Sequence, residues 1–176
     1  MITEIDGRTL KRVISEKAIN KRVAELGIQI TDDYKGKAPI LVGILKGAFV
    51  FLSDLMRHID LPVQIDFIRI STYKSGMKPG EIDLIMDISM PIRGRHVILV
   101  EDIVDTGITL KFICDRILER NPASYSICAL IDLKQRREAN VKLEYVGFEL
   151  EEGFVVGYGL DMAEEGRNLP SIYNIE

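Results

Sequence analysis

Short apolar runs alternate with segments of helical periodicity along most of this 176-residue chain. Four runs, rich in β-branched residues and bounded by turn formers, predict strands at Ile40–Leu45, Val63–Ile70, His96–Val100 and Tyr125–Ile131. Apolar residues at helical spacing predict helices at Glu16–Tyr34, Phe49–His58 and Leu110–Arg120. Strands that alternate with helices are typical of a doubly wound α/β fold. The pattern therefore predicts an α/β protein with a mostly parallel sheet.

The distribution of polar residues within the runs predicts where each strand lies. The runs at 40–45, 96–100 and 125–131 are apolar on both faces, as expected for strands buried within a parallel sheet. The segment Val63–Phe67 instead alternates with polar residues, which predicts a half-exposed strand or one at an edge. In open α/β sheets ligands bind beyond the carboxyl ends of the strands, so candidate chemistry is sought there.

Composition and charge exclude several classes of protein. The formal net charge of −4 disfavours a nucleic-acid-binding protein, which normally carries a basic excess. The longest apolar stretch, Ile40–Met56, is too short to span a bilayer, so no membrane association is expected. Cys114 and Cys128 lie in core-like contexts, and the N-terminus lacks the apolar segment of a secretory signal. These features predict a cytoplasmic protein.

The strongest chemical signal is the segment Val97–Thr109, with the sequence VILVEDIVDTGIT. An apolar strand leads into two adjacent acids, Glu101 and Asp102, and a short loop with Thr106 and Gly107 precedes a helix. Glycine permits a turn that aims backbone N–H groups at an anion, and the helix N-terminus adds partial positive charge. The pattern is suited to a phosphorylated sugar whose hydroxyls need acceptors. The alternative is an acid pair at a strand end followed by an ordinary N-cap.

This segment resembles the phosphoribosyl-pyrophosphate signature of the type I phosphoribosyltransferases, and the rest of the chain is similar to the hypoxanthine-guanine branch of that family. The resemblance runs from about Val13 to the C-terminal region and includes four further motifs in the expected order. It implies the type I phosphoribosyltransferase fold, with a single domain over residues 1–176 and a small hood from roughly 1–15 and 150–176. It also implies a homo-oligomer, either a dimer or a tetramer.

The resemblance implies a purine salvage reaction that uses Mg²⁺. The 5-phosphoribosyl group of phosphoribosyl pyrophosphate would pass to N9 of hypoxanthine or guanine, giving IMP or GMP and pyrophosphate. Glu101 and Asp102 would hold the ribose hydroxyls and the metal, and Asp105 would act as the catalytic base at N7 of the purine. The residues expected to bind the 5′-phosphate are Asp105, Thr106, Gly107, Ile108 and Thr109.

Two further motifs correspond to the pyrophosphate end of the family's site. Leu45–Ala48 resembles the pyrophosphate loop, in which Lys46 and Gly47 follow a non-proline cis peptide bond, and Arg167 resembles a second pyrophosphate contact. The residues that resemble the start of the loop that closes over the site are Ser71, Thr72 and Tyr73. Without the resemblance, Lys46 is equally well explained as a solvated charge, and the loop as an ordinary surface hairpin.

The remaining motifs correspond to the purine end. In the family, the lysine that Lys134 resembles donates to the exocyclic oxygen of a 6-oxopurine, Phe154 corresponds to the aromatic that stacks on the base, and Val155 to a backbone contact. Asp161 resembles a carboxylate that is associated with a second magnesium ion and borders the purine. Without the resemblance, Lys134 belongs to a solvated basic turn at 134–137, and Phe154 is a packed core aromatic.

One departure leaves the purine preference open. The family often has aromatics between the positions of Asp161 and Arg167, where this chain has Met162–Gly166. The ranking of hypoxanthine, guanine and xanthine therefore does not follow, and a xanthine-preferring or pyrimidine-type enzyme is the nearest rival. An RNA-binding regulator of the same fold is disfavoured by the acidic balance and by the retained site residues. A flavodoxin-like nucleotide-binding module would not explain the paired acids.

Overall fold

The computed structural model describes residues 4–5, 7–71, 82–151 and 153–176. The helices are α1 (Glu16–Asp33), α2 (Phe49–Arg57) and α3 (Ile108–Glu119). The first five strands are β1 (Glu4–Ile5), β2 (Arg8–Ile14), β3 (Ile40–Leu45), β4 (Gln64–Ser71) and β5 (Asp83–Met86). The others are β6 (His96–Val104), β7 (Ser124–Asp132), β8 (Tyr145–Glu149), β9 (Val155–Val156) and β10 (Ile172–Ile175). A 3₁₀ turn over Lys134–Arg136 follows β7.

A six-stranded central sheet has the order β5-β4-β3-β6-β7-β8, in which every pairing except β4 with β5 is parallel. Ile40 and Val42 of β3 pack in one core cluster with α3, while Leu41 faces the cluster that contains α1 and α2. Helices therefore cover both faces, and the predicted doubly wound, mostly parallel fold is confirmed. Residues 63–67 are half-exposed overall, and they also lie at an edge, because β5 pairs only with Arg69–Ser71 and residues 64–67 pair with β3 alone among the described strands.

A second, smaller sheet joins the two ends of the chain. Its strand order is β1-β2-β10-β9, and all of its pairings are antiparallel. Because β2 precedes α1 and β10 closes the chain, this sheet is built from the terminal segments, as predicted for the hood. The Oγ of Ser171 accepts a hydrogen bond from the N–H of Glu16 at 3.0 Å, which joins the start of β10 to the start of α1.

Strand β6 is longer than its apolar run predicts. It continues to Val104, four residues beyond the predicted end at Val100, so Glu101 and Asp102 lie within the strand and not after it. The extension is stabilised by β7, with which β6 stays in register as far as the pair Val104 and Asp132. Helix α3 likewise begins at Ile108, two residues earlier than predicted, which shortens the loop between strand and helix.

Helix α1 shows how local sequence and packing act together. Ser15 is its N-cap, as its position before the apolar periodicity suggests, and its hydroxyl accepts the N–H of Ala18 at 3.2 Å. Gly27, unfavourable within a helix, lies directly against His58 after α2, and a Cβ at this position would overlap that residue. The glycine therefore lets α1 pack closely against the end of α2.

The interior is consistent with the expectations from composition. Cys114 on α3 and Cys128 on β7 are both buried and unbridged, as their apolar contexts predict. In the described parts of the chain, none of the helices has the length and apolar character needed to cross a bilayer.

Asp66 is a buried carboxylate that fixes the segment leading into β6. It accepts the N–H groups of Phe67, Ser89 and Met90 at 2.8–2.9 Å, together with the hydroxyl of Ser89. Burial alone would raise the pKa of Asp66, but these donors outweigh it and hold the pKa below its usual value. Asp66 thereby ties β4 to residues 89–90.

We expect Asp66→Asn to lower the free energy of unfolding by about 1–3 kcal/mol near neutral pH, since charged hydrogen bonds are lost. A lowered folded-state pKa stabilises the protein above the usual carboxyl range, and this contribution is lost as pH falls through the lowered pKa. The difference from the unsubstituted protein should therefore shrink on acidification. Urea unfolding measures it, with Asp60→Asn at an exposed position as control. A difference independent of pH would contradict this account.

Candidate active site

A cavity opens where β3 and β6 separate. Their pairing ends at Gly43 and Val100, while β6 continues beside β7. The Leu45–Lys46 peptide bond, which follows, is cis as predicted, and the chain turns there into α2. A cavity of about 300 Å³ lies between this turn and the extension of β6, and the acids predicted to hold a ribose line it.

Two glycines make close backbone approaches in this cavity. A Cβ on Gly47 would overlap the carboxylate of Asp102, and a Cβ on Gly159 would overlap the carbonyl oxygen of Gly47. Gly159 also has a φ of +100°, which disfavours any other residue. The pyrophosphate loop therefore fits tightly between the acid on β6 and the chain that follows β9. Gly47 was a candidate from the sequence, and Gly159 was not.

The two acids on β6 form an electrostatically coupled pair. Asp102 is 8% exposed, and the N–H of Ile103 donates to its Oδ1 at 2.9 Å. Burial raises the pKa of Glu101 well above its usual value, and the neighbouring charge of Asp102 raises it further. Burial also raises the pKa of Asp102. Its hydrogen bonds and the charge of Arg167 act to lower this pKa, but burial outweighs them. The pair is therefore suited to a ligand that supplies positive charge or hydroxyl donors.

The loop between β6 and α3 leaves the start of the helix open to an anion. Gly107 is the N-cap residue with a φ of +79° and has no side chain to cap the helix, while the hydroxyl of Thr106 accepts the N–H of Ile108 at 3.4 Å. Asp105, Thr106, Gly107 and Thr109 line the cavity, whereas the side chain of Ile108 is exposed. Uncapped N–H groups at a helix N-terminus bind phosphate oxygens. The structure thus places the predicted phosphate-binding residues around one helix end.

Arg137 supports this loop from behind, a function that the sequence did not indicate. Its guanidinium is paired with the buried Asp132, and its Nε donates to the carbonyl oxygen of Asp105 at 3.1 Å. The carbonyl oxygen of Thr106 accepts two N–H groups, from Glu138 and Ala139, at 2.9 Å each. Arg137 is therefore largely buried and not part of a solvated basic turn. The sequence signal that could have indicated this role is an acid at the end of a strand, Asp132, five residues before the arginine.

The predicted pyrophosphate contacts converge on an acidic residue of this chain. Both Oε atoms of Glu164 accept from Lys46 Nζ at 2.9 Å, and Arg167 lies 3.3 Å from the same carboxylate. Arg167 also pairs with Asp161 at 2.8 Å. Glu164 belongs to Met162–Gly166, the segment in which this chain departs from the family pattern, and this segment forms a tight turn. The structure thus places this segment at the end of the cavity that holds Lys46 and Arg167, the predicted pyrophosphate contacts.

A second cavity, of about 310 Å³, adjoins the first and has an apolar wall. The apolar wall is formed by Phe154, Val155 and Leu160. Four residues line both cavities: Asp102, Ile103, Asp105 and Asp161. Phe154 is 57% exposed, so it is not a packed core aromatic. Its ring is available to a planar ligand that enters this cavity.

Lys134 is not brought together with the other predicted purine contacts. Lys134 faces away from the apolar cavity, with its amine 3.9 Å from Glu149, and Arg136 lines the cavity instead. Ser71 is the last residue of β4, while Thr72 and Tyr73 lie outside the described residues.

The phosphoribosyl transferase domain family matches residues 7–163, which is most of the chain. The chain belongs to this family. It is 45% identical over 175 residues to the hypoxanthine-guanine phosphoribosyltransferase of Aquifex aeolicus, covering 98% of both chains. It is 46% identical over 161 residues to the hypoxanthine phosphoribosyltransferase of Haemophilus influenzae, covering 89% of this chain and 90% of that one.

Solved structures of the family agree with the architecture. A crystal structure of a hypoxanthine phosphoribosyltransferase from Staphylococcus aureus superposes with a TM-score of 0.89 and 41% identity, covering 94% of this chain and 91% of that one. The central sheet and the hood are therefore the type I phosphoribosyltransferase fold, and the chain is a transferase of this family.

We expect Glu101→Gln to stabilise the ligand-free protein more at about pH 8 than at about pH 5. The raised folded-state pKa of Glu101 means that its neutral form favours folding below the usual carboxyl range, and this contribution is lost as pH rises through the raised value. Glutamine cannot ionise, so the variant avoids that loss. Urea unfolding without ligand or divalent cation measures the effect.

Glu119→Gln, an exposed position on α3, is the matched control for this measurement. Its stability relative to the unsubstituted protein should not change between the two pH values. An effect of Glu101→Gln that is equal at both pH values would show that Glu101 does not hold a proton in the folded protein.

Proposed function

We propose that this chain transfers the 5-phosphoribosyl group of phosphoribosyl pyrophosphate to N9 of hypoxanthine or guanine, with release of pyrophosphate. The observation that carries the proposal is the pair of adjoining cavities, one mainly polar and one with an apolar wall, that share Asp105 and Asp161. A ribose with a 5′-phosphate and a pyrophosphate would occupy the polar cavity, and a planar base would occupy the one with the apolar wall. Relatives that are named for this reaction cover nearly the whole chain.

The polar cavity offers a separate group of donors to each end of the sugar. The N-terminus of α3, with Thr106 and Thr109, would bind the 5′-phosphate, and Lys46 with Arg167 would bind the pyrophosphate. Glu101 and Asp102 lie on the strand between these two groups and would accept hydrogen bonds from the ribose hydroxyls. This division fixes the direction in which the sugar binds.

Loss of pyrophosphate leaves positive charge on the ribose ring, so electrostatic stabilisation carries the reaction. Asp102 and Glu101, when ionised, place negative charge beneath the sugar. Because Asp102 is buried and Glu101 is half-buried beside it, their charges are incompletely screened by water and act on a cation in the cavity. Exclusion of water from the cavity would also prevent hydrolysis of the activated sugar.

The carboxylate pair fits Mg²⁺. Magnesium binds through one or two carboxylates together with substrate phosphates, and it keeps several waters. Within residues 4–5, 7–71, 82–151 and 153–176, no cluster of three or more potential side-chain ligands occurs. Glu101 and Asp102 would hold the ion, with Asp161 near the pyrophosphate as a second position. When bound, Mg²⁺ would neutralise charge on the leaving pyrophosphate.

Asp105 would serve as the general base. It lies between the phosphate loop and the apolar cavity, so its carboxylate can accept the N7 proton of a purine that stacks on Phe154. Removal of that proton increases electron density at N9, the atom that attacks the sugar. Arg137 fixes the backbone at Asp105 and so positions this carboxylate.

The decisive experiment is an assay of hypoxanthine, guanine, xanthine, adenine and uracil with phosphoribosyl pyrophosphate and Mg²⁺, with pyrophosphate release as the measurement. Turnover of hypoxanthine or guanine well above that of the other bases supports the proposal. Preference for xanthine or uracil would assign the chain to a different branch. Absence of turnover with every base would overturn the proposal.

We expect Asp105→Asn to lower kcat by about 100-fold or more, since general-base catalysis is lost, while phosphoribosyl pyrophosphate still binds. Steady-state kinetics with hypoxanthine, and calorimetric titration with phosphoribosyl pyrophosphate, measure the two effects. Asp115→Asn on the exposed face of α3 is the control. A kcat equal to that of the unsubstituted protein would remove Asp105 from the mechanism.

We expect Glu164→Gln to lower the KM for phosphoribosyl pyrophosphate by about two- to fivefold, as for an exposed ion pair. The carboxylate of Glu164 already pairs with Lys46 and Arg167, so an incoming pyrophosphate must displace it. Glu165→Gln, an exposed neighbour, is the control, and the effect should weaken at high salt. An increased KM would instead show that Glu164 contributes to substrate binding.

A further inference from the structure

A buried tyrosine joins the chain after β9 to helix α2. Tyr158 is 5% exposed, and its hydroxyl donates to Oδ2 of Asp54 at 2.7 Å, across 104 positions of sequence. Burial raises the pKa of Tyr158, and the Asp54 carboxylate raises it further, so the phenol keeps its proton and remains a donor. A hydrogen bond to a charged acceptor is stronger than one between neutral groups.

The backbone at Tyr158 has a conformation that its side chain disfavours. Its φ is +52°, in the left-handed region that bulky residues rarely adopt. Two hydrogen bonds restrain the residue there: the hydroxyl donates to Asp54, and the N–H donates to the carbonyl oxygen of Leu169 at 2.7 Å. Backbone strain of this kind persists only where the surroundings impose it. The contact with Asp54 is therefore one of the restraints that fix this segment.

Tyr158 belongs to the same compact unit as Arg167. The N–H of Gly159 donates to the carbonyl oxygen of Arg167 at 3.0 Å, and Nη1 of Arg167 donates to the carbonyl oxygen of Gly159 at 2.8 Å. Arg167 also pairs with Asp161 at 2.8 Å. A displacement of Tyr158 would therefore move the guanidinium of Arg167 with it.

Helix α2 is joined to the other predicted pyrophosphate contacts. Lys46 and Gly47 come just before α2 in the chain, so their positions depend on that helix. A Cβ on Gly159 would overlap the carbonyl oxygen of Gly47, so the two parts of the site touch there. That contact is steric and sets only their minimum separation. The hydrogen bond between Tyr158 and Asp54 adds an attraction that holds the two parts together.

This link is compatible with a bound ligand. The exposed ion pair of Lys46 with Glu164 also joins the two parts, but an incoming pyrophosphate would displace it. Neither Tyr158 nor Asp54 lines the two cavities of the site, so a ligand there would leave their hydrogen bond in place. Their effect on a ligand would therefore act through the residues that they hold.

We propose that Tyr158 is a positioning residue for pyrophosphate: its hydrogen bond to Asp54 holds Arg167 at the separation from Lys46 at which both cations contact one pyrophosphate. This inference rests on the proposed function, which places the pyrophosphate between these two cations. Charges that are arranged before the ligand arrives bind it more tightly, because less freedom is lost on association. Loss of the restraint weakens the binding of ligands that carry a pyrophosphate, and of those alone.

The test compares phosphoribosyl pyrophosphate with IMP, which has a 5′-phosphate and no pyrophosphate. The Kd of each is measured by calorimetry with Mg²⁺ for the unsubstituted protein, Tyr158→Phe and Tyr145→Phe. The ratio of the Kd for phosphoribosyl pyrophosphate to the Kd for IMP should rise about fivefold or more in Tyr158→Phe, since a hydrogen bond to a charged group is lost. An unchanged ratio, or an equal weakening of both ligands, would overturn the proposal.

Tyr145 is the matched control, because its hydroxyl also donates to a carboxylate on a helix, that of Asp33 on α1, at 2.8 Å. Tyr145 is likewise 5% exposed, but it begins β8, whereas the site lies at the carboxyl ends of the strands. The ratio in Tyr145→Phe should stay within about twofold, as for independent sites. A rise equal to that in Tyr158→Phe would show a general effect of lost stability and overturn the proposal.

A double-mutant cycle tests whether the hydroxyl acts through Asp54. Tyr158→Phe and Asp54→Ala remove the same bond, so the double variant should raise the ratio no more than the larger single change does. Effects that multiply would overturn the proposal. Asp54→Asn keeps an acceptor oxygen and should retain most of the unsubstituted ratio. Arg57→Met removes the other partner of Asp54, and a rise there equal to that in Asp54→Ala would also overturn the proposal.

Asp54→Ala also covers the case in which Tyr158→Phe does not fold, because the side chain of Asp54 is 35% exposed and the same rise is expected. An unsubstituted protein that does not bind phosphoribosyl pyrophosphate would overturn the proposed function together with this inference. Binding and turnover by the unsubstituted protein, with an unchanged ratio in the variants, would overturn this inference alone.

Discussion

The site depends on one feature of the central sheet, which is that β6 extends further than its neighbour β3. Pairing with β3 ends at Val100, while pairing with β7 continues to Val104. Four residues of β6 are therefore held on one side only, and two of them are acids that face the resulting cavity. A loop would not fix the positions of these acids, whereas pairing with β7 does.

Close backbone packing then shapes the cavity that this separation creates. The pyrophosphate loop approaches Asp102 at Gly47, and the chain after β9 approaches Gly47 at Gly159. Such contacts leave no room for a Cβ, so small substitutions at either glycine would displace an acid or a loop. On the other side, Arg137 and its partner Asp132 fix the phosphate loop. The charged groups of the site are therefore held by backbone and buried contacts.

Much of the fold follows from the hydrophobic pattern, because the buried strands β3, β6 and β7 and the helices that cover them have clear periodicities. The turn between β6 and α3 is also predictable, since a glycine and hydroxyl residues between an apolar strand and a helix are typical of an anion-binding turn, and its binding of a phosphate stays a prediction. The extension of β6 is not predictable in this way, because it depends on pairing with β7. A local pattern of acids after an apolar run is more typical of a strand end.

The orientation of single side chains was harder to predict. Whether Lys134 or Arg136 faces the cavity depends on the residue at which β7 ends and on the 3₁₀ turn that follows, and both sit within a single basic segment. The contact of Lys46 with Glu164 joins residues 118 positions apart, and no local signal reports it. Contacts of this kind require the folded chain.

The central claim is that one cavity binds a ribose that carries a 5′-phosphate and a pyrophosphate, with the acids of β6 beside its hydroxyls. A crystal structure of the protein with Mg²⁺ and a non-hydrolysable analogue of phosphoribosyl pyrophosphate tests this claim most directly. The account predicts the 5′-phosphate at the N-terminus of α3, the ribose hydroxyls on Glu101 and Asp102, and the pyrophosphate beside Lys46 and Arg167. An analogue bound elsewhere, or bound with its ribose away from both acids, would contradict it.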